Sequence, residues 1–138
     1  MAERLLQDAL EKKERLCIKV SSAGAMAADG LSPAANTIEA MKKIGLDVSG
    51  YKTKALTDEM IKQSDVILVM ERLHRDEVLR RVPAAADKTF LLKRFKRQGQ
   101  DFPASDSEIL DPIGLSIDEY ENCVSAIKKE IERIIEFL

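Results

Sequence analysis

Leu110-Asp111-Pro112-Ile113-Gly114 places one carboxylate in a loop, just ahead of the amphipathic run that closes the chain. Pro112 fixes its own φ and pushes Asp111 out of the helical region, and Gly114 lets the chain turn away. Asp111 is therefore expected at the tip of a loop in extended backbone. A carboxylate held that way serves as a general acid where its surroundings raise its pKa. Asp-Pro also starts ordinary turns that do no chemistry. Of the other reactive side chains, Cys17 and Cys123 each sit inside an apolar pattern far apart in the chain. They read as buried free thiols of a reducing cytoplasm rather than a disulfide. One histidine and two cysteines give no metal-ligand cluster, so neither a metal nor another cofactor is expected. The histidine, His74, reads as an exposed surface residue.

The elements that position Asp111 follow from periodicity. Residues 2–14 carry Leu5, Leu6, Ala9 and Leu10 at helical spacing. Residues 17–22 read as a short strand stopped by Ala23-Gly24. Ser32 as N-cap and Pro33 at the first helical position predict a second helix, ending at Gly45. Residues 46–54 form a polar connection. Thr57 caps a third helix over 58–63, with Asp58 and Glu59 in its first turn. Val66-Ile67-Leu68-Val69-Met70 is an unbroken apolar run, too short for a helix and suited to a strand buried on both faces. A helix over 71–82 ends at Pro83, residues 89–92 form a further strand, and residues 93–109 are irregular and polar. From Ser116 to Phe137, the residues Ile117, Tyr120, Val124, Ile127, Ile131, Ile134 and Ile135 trace one stripe of a long helix. Charges fill its other face, with Glu130 and Arg133 at ion-pair spacing.

Strands alternating with helices predict an α/β three-layer sandwich with a parallel sheet, as one domain over residues 1–138. In such sheets the active crevice lies beyond the carboxyl ends of the strands, the end at which Asp111 is expected. Of the residues, 45% are hydrophobic and 33% charged, with a net charge of −2, which fits a soluble globular protein. The charges are interspersed, so neither nucleic acid nor a membrane surface is an expected partner. Lys93-Arg94-Phe95-Lys96-Arg97 is a local basic run, read as a solvated helix end or loop. No apolar stretch reaches the length of a membrane span, and no signal peptide precedes the first charges. The chain reads as cytoplasmic.

Taken in order, several segments resemble the low-molecular-weight protein-tyrosine-phosphatases. Met1-Ala2-Glu3 is similar to the start of that family's first helix, and Ser21-Ser22-Ala23-Gly24 to the end of its second strand. Gly45 to Gly50 and Ala55 to Glu59 resemble its middle connection, and Ser64 to Met70 its third strand. Asp111-Pro112-Ile113-Gly114 resembles its general-acid loop. The resemblance implies hydrolysis of phosphotyrosine through a phosphocysteine, on phosphorylated proteins or small phosphomonoesters. It makes Asp111 the acid that protonates the leaving phenolate and then activates water. Ile113 stands at an often aromatic position that flanks the substrate ring. Ser22 matches a serine that supports the phosphate loop, and Tyr51 stands where many members brace that loop with a histidine.

The family's nucleophile lies in a Cys-x5-Arg-Ser loop between its first strand and first helix, and neither the strand nor the loop is found in this sequence. The position six residues after Cys17 is Ala23, and Cys123 falls in the last helix. The chain is therefore expected to lack activity by itself. The resemblance puts the absent strand between the strands matching residues 17–22 and 66–70. About five apolar side chains at roughly 1.5–3 kcal/mol each would go with it, of order ten kcal/mol. That approaches the whole stability of a typical domain, about 5–15 kcal/mol. Another strand is expected to fill the slot, from a partner chain, an exchanged segment of a homo-oligomer or a re-paired sheet. A non-catalytic binding module and a relative acting on phosphoarginine or arsenate are the alternatives. Retention of the Asp-Pro loop counts against the first, and the lack of a resolving cysteine pair near residues 70–100 counts against arsenate.

Overall fold

The computed structural model describes residues 1–15, 17–97 and 106–138. Apolar spacing drives the helices, which run over α1 (Ala2–Lys12), α2 (Ala35–Lys43), α3 (Asp58–Gln63), α4 (Arg72–Arg81) and α5 (Ile117–Ile134). Between them lie two strands, β1 (Ile67–Val69) and β2 (Thr89–Leu91), paired in parallel with Ile67 opposite Thr89 and Val69 opposite Leu91. Strand side chains alternate between faces, and that alternation sorts the core into two clusters. Val69 and Leu91 pack with Ile61, Val78 and Ala85 on the side of α3 and α4. Leu68, Met70 and Phe90 pack on the opposite side, against Leu5, Met41, Val124, Ile127 and Ile131 of α1, α2 and α5. Helices thus flank a parallel sheet on both faces, the α/β sandwich expected from the order of elements.

Thr57 behaves as the sequence predicts: its side chain accepts a hydrogen bond from the Met60 N–H at 3.2 Å and opens α3. The long stripe of α5 is buried at Tyr120, Val124, Ile127, Ile131 and Ile134. The polar face of that helix departs from expectation at one position. Glu130 is buried rather than solvated, its side chain 6% exposed, between Arg97 at 3.0 Å and Arg133 at 2.7 Å. Arg133 also donates to the carbonyls of Phe95 and Leu92. The basic run at residues 93–97 is correspondingly not a simple solvated loop. Phe95 is in the core, edge-on to Phe90 with ring centroids 5.2 Å apart, and the Arg97–Glu130 pair together with Arg133 ties the run to α5. Part of the irregular 93–109 stretch lies outside the described residues. Its described parts include a 3-10 turn over Leu92–Arg94 and buried Ser107 and Ile109.

Four other expectations change. α2 starts at Ala35 with Ala34 before it, so Ser32 is not its cap and Pro33 is not its first residue. The Ser32 hydroxyl instead accepts from the Lys52 ammonium at 2.9 Å. The polar connection after α2 contributes Leu46 and Val48 to the core. Residues 17–22 form no strand. A strand is defined by its neighbour, and among the described residues the first pairing in this region is the isolated bridge of Gly24 with Ala55. β1 likewise pairs on one edge only, with β2, so its own chain does not re-pair the other edge among the described residues. That open edge is why the apolar run is less buried than its composition predicts: Val66 is 39% exposed, and Ile67 and Leu68 are half-buried. No helix among the described residues is long and apolar enough to cross a membrane.

Candidate active site

The chain reaches Asp111 through a segment tied down at each step. Lys93 pairs with Asp106 at 3.2 Å. Glu108 accepts from the Arg72 backbone N–H at 2.6 Å, at the start of α4. The Ile109 N–H donates to the Met70 carbonyl at 2.9 Å, just past the end of β1, and the Ile109 side chain is buried. The Cys123 thiol, from α5, lies 3.9 Å from the Leu110 carbonyl. These ties bring Asp111 to the carboxyl end of β1, the end where open α/β sheets present their chemistry.

Asp111 is exposed, whereas Pro112 beside it is buried and anchors the turn. The Asp111 Oδ1 accepts from the Ile113 N–H at 3.0 Å, an Asx turn that orients the carboxylate from its own loop. The Leu115 N–H closes onto the Pro112 carbonyl at 3.0 Å, with Gly114 at φ +77. That left-handed position suits glycine because a Cβ there would strain the backbone. One oxygen of Asp111 is thereby held, and the residue is exposed to solvent.

Two clefts meet at this turn. One, of about 270 Å³, is lined by Asp111 with Lys93, Glu108, Asn122 and Cys123. The other, of about 360 Å³, lies between the Ile113–Leu115 turn and the first turn of α2, with Ala34, Ala35, Asn36 and Tyr120 on its walls. Ile113 is 74% exposed at its rim, an apolar surface directly beside the carboxylate. The Asn36 amide donates to the Leu115 carbonyl at 3.4 Å, tying the turn loosely to α2.

The remaining candidates separate. The Ser22 hydroxyl donates to Glu3 in the first turn of α1, and the Tyr51 hydroxyl donates to Gln7 at 2.6 Å on the same helix. Burial raises the Tyr51 phenol above its ordinary value, so it stays protonated and remains a donor. His74 is half-buried on α4 rather than fully exposed, because that helix lies along the sheet. Cys17 is exposed, contrary to the buried thiol expected, since the segment around it is unpaired. Cys123 is half-buried. Burial, and then the Asp111 carboxylate, push its thiol above the ordinary value, which disfavours the thiolate. Replacing Asp111 by asparagine removes the second cause and keeps the first. In a Cys17→Ser background, the pH midpoint of Cys123 alkylation by iodoacetamide therefore shifts downward in D111N. An unchanged midpoint would show that the two groups do not sense each other.

Sequence reasoning missed Glu108. α4 opens at Glu71, whose side chain makes no cap hydrogen bond, and the acceptor for its first N–H comes from far along the chain. The only local sign was the absence of Ser, Thr, Asp or Asn ahead of that helix.

A helix-flanked parallel sheet with a turn-borne carboxylate at its carboxyl end defines an α/β domain with a candidate acid-base site. The sequence model of the family described as "Low molecular weight phosphotyrosine protein phosphatase" matches residues 1–138, and the chain belongs to that family. Among its relatives, a protein-arginine-phosphatase of Geobacillus stearothermophilus is 31% identical over 129 residues, covering 94% of this chain and 82% of the relative. The low molecular weight protein-tyrosine-phosphatase Ptp of Acinetobacter johnsonii is 32% identical over 134 residues, covering 95% of this chain and 87% of the relative. Among solved structures, Vibrio vulnificus Wzb in complex with benzylphosphonate superposes with a TM-score of 0.82 at 28% identity, covering 99% of this chain and 88% of that one.

Proposed function

We propose that the chain is a phosphatase domain whose complete form hydrolyses phosphotyrosine or a similar phosphomonoester, with Asp111 as the general acid and base. The observation that carries the reading is Asp111 itself: exposed, at the carboxyl end of β1, and oriented by the Ile113 N–H at 3.0 Å. In the complete form a cysteine thiolate attacks phosphorus, the bond to the leaving oxygen breaks, and Asp111 gives that oxygen its proton. The carboxylate then takes a proton from water as the water displaces the cysteine sulfur, releasing phosphate and restoring the acid. Ile113 supplies an apolar side to the substrate group next to that proton. Phosphorylated proteins are the partners this chemistry implies, and no cofactor takes part in it.

The chain by itself does not turn over in this reading, because neither of its cysteines fits the thiolate's part. Six residues beyond Cys17 stands Ala23, and six beyond Cys123 stands Lys129, so neither has the arginine of a Cys-x5-Arg loop. Cys123 is further held as a thiol by burial and by Asp111. The test is release of phosphate from an aryl phosphate by this chain, beside a version extended upstream with a family-type strand and Cys-x5-Arg loop. Turnover in the extended form alone supports the reading, and turnover by the present chain overturns it. A cytoplasmic setting belongs to the same proposal, and the two unpaired cysteines support it.

Phosphoarginine is a second substrate reading, favoured by the names of two relatives. The protein-arginine-phosphatases of Geobacillus stearothermophilus and Bacillus subtilis are 31% and 29% identical to the chain. Asp111 would then protonate a guanidine nitrogen instead of a phenolate. Parallel assays of the extended form on phosphotyrosine and phosphoarginine peptides decide between the two. A preserved fold with no turnover on either would point to the binding module.

A further inference from the structure

We propose that Glu108 is a positioning residue for Asp111, holding the acid loop to the start of α4. The inference rests on the reading of Asp111 as the acid. α4 needs an acceptor for its first backbone N–H groups, and Glu71 at its N-cap supplies none from its side chain. The Glu108 carboxylate fills that place from 36 residues along the chain, accepting from the Arg72 N–H at 2.6 Å. A carboxylate is also the favoured charge at that end of a helix. The next residue, Ile109, donates its N–H to the Met70 carbonyl at 2.9 Å. Two adjacent residues therefore grip the end of β1 and the beginning of α4, and Asp111 follows after Leu110 alone.

This geometry separates two tasks. Pro112 and the Asx turn set how the Asp111 carboxylate is oriented within its loop. Glu108 sets where that loop stands relative to the sheet, and it lines the same cleft as Asp111. Its side chain is half-buried and its acceptor role needs one oxygen, which a glutamine amide also offers. Glu108→Gln should therefore keep the tie and Glu108→Ala should release it.

The experiment compares E108A and E108Q with the chain as it stands, by amide hydrogen exchange and by the chemical shift of the Ile113 amide at constant pH. That signal reports the turn, because the Ile113 N–H donates to Asp111. E108A is expected to exchange at Arg72 and Ile109 about tenfold faster, the scale of losing a helix cap. It should also move the Ile113 signal, while E108Q leaves both in place. Exchange and chemical shift unchanged in E108A would overturn the proposal, as would equal disturbance in E108Q. Neither readout needs turnover, so a failure here is distinct from a failure of the acid role, which only catalytic assays of Asp111 reach. In the extended form, the same proposal expects E108A to lower kcat about tenfold with KM within about twofold, and E108Q to restore it.

Discussion

In the version completed with a Cys-x5-Arg loop, Asp111→Asn lowers kcat for phenyl phosphate by about 10²–10⁴-fold, the range that a positioned acid supplies. Asparagine keeps an oxygen to accept from the Ile113 N–H, so the Asx turn at 3.0 Å survives and the side chain stays where it is. It cannot donate an acidic proton to the leaving oxygen. KM should change little, because the substituted group interacts with charge that develops only as the phosphorus–oxygen bond breaks. Steady-state kinetics on the two proteins measures both parameters. A loss below about threefold would remove Asp111 from the mechanism, whatever its place in the fold.

Ile134→Ala should have the largest effect on folding among single changes to α5. Its side chain is fully buried in the cluster where that helix meets α1 and α2. Truncating it removes apolar contacts and leaves a cavity, at a cost of about 2–5 kcal/mol. Set against a typical domain stability of about 5–15 kcal/mol, such a loss takes a large share of what holds the fold together. Among the described residues β1 has a neighbour on one edge only, so the helix packing carries more of the burden here. Urea titration followed by circular dichroism reads the shift in midpoint. A change of less than about 0.5 kcal/mol, the scale of a surface substitution, would show that α5 is not the main brace of the core.

The fold was legible wherever a local signal acts through the element itself. The stripe from Ile117 to Ile134 fixed the buried side of α5, and the Thr57 side chain opens α3 by bonding the Met60 N–H. The apolar run at residues 66–70 marked β1. Misreadings fell where a group is claimed by something distant. Ser32 and Pro33 form a good start signal, but the hydroxyl is taken by Lys52, and the helix begins later at Ala35. Glu130 looked like one more surface charge until the arginines at 97 and 133 enclosed it. Residues 17–22 have strand composition, but composition cannot supply the neighbour a strand requires. At the site, Pro112 and Gly114 revealed the loop because they act on their own backbone. Glu108 was invisible because its partner is the amide of Arg72.

Dependence on the leaving group tests the central claim, that Asp111 is the proton donor, more directly than any single rate. The measurement compares Asp111→Asn with the parent extended form on a series of aryl phosphates, from nitrophenyl to unsubstituted phenyl. An acid matters most when the departing oxygen is most basic, so the loss caused by D111N should grow along that series. A loss that is the same for good and poor leaving groups would contradict the account, and would leave Asp111 as a residue that shapes the turn without moving a proton.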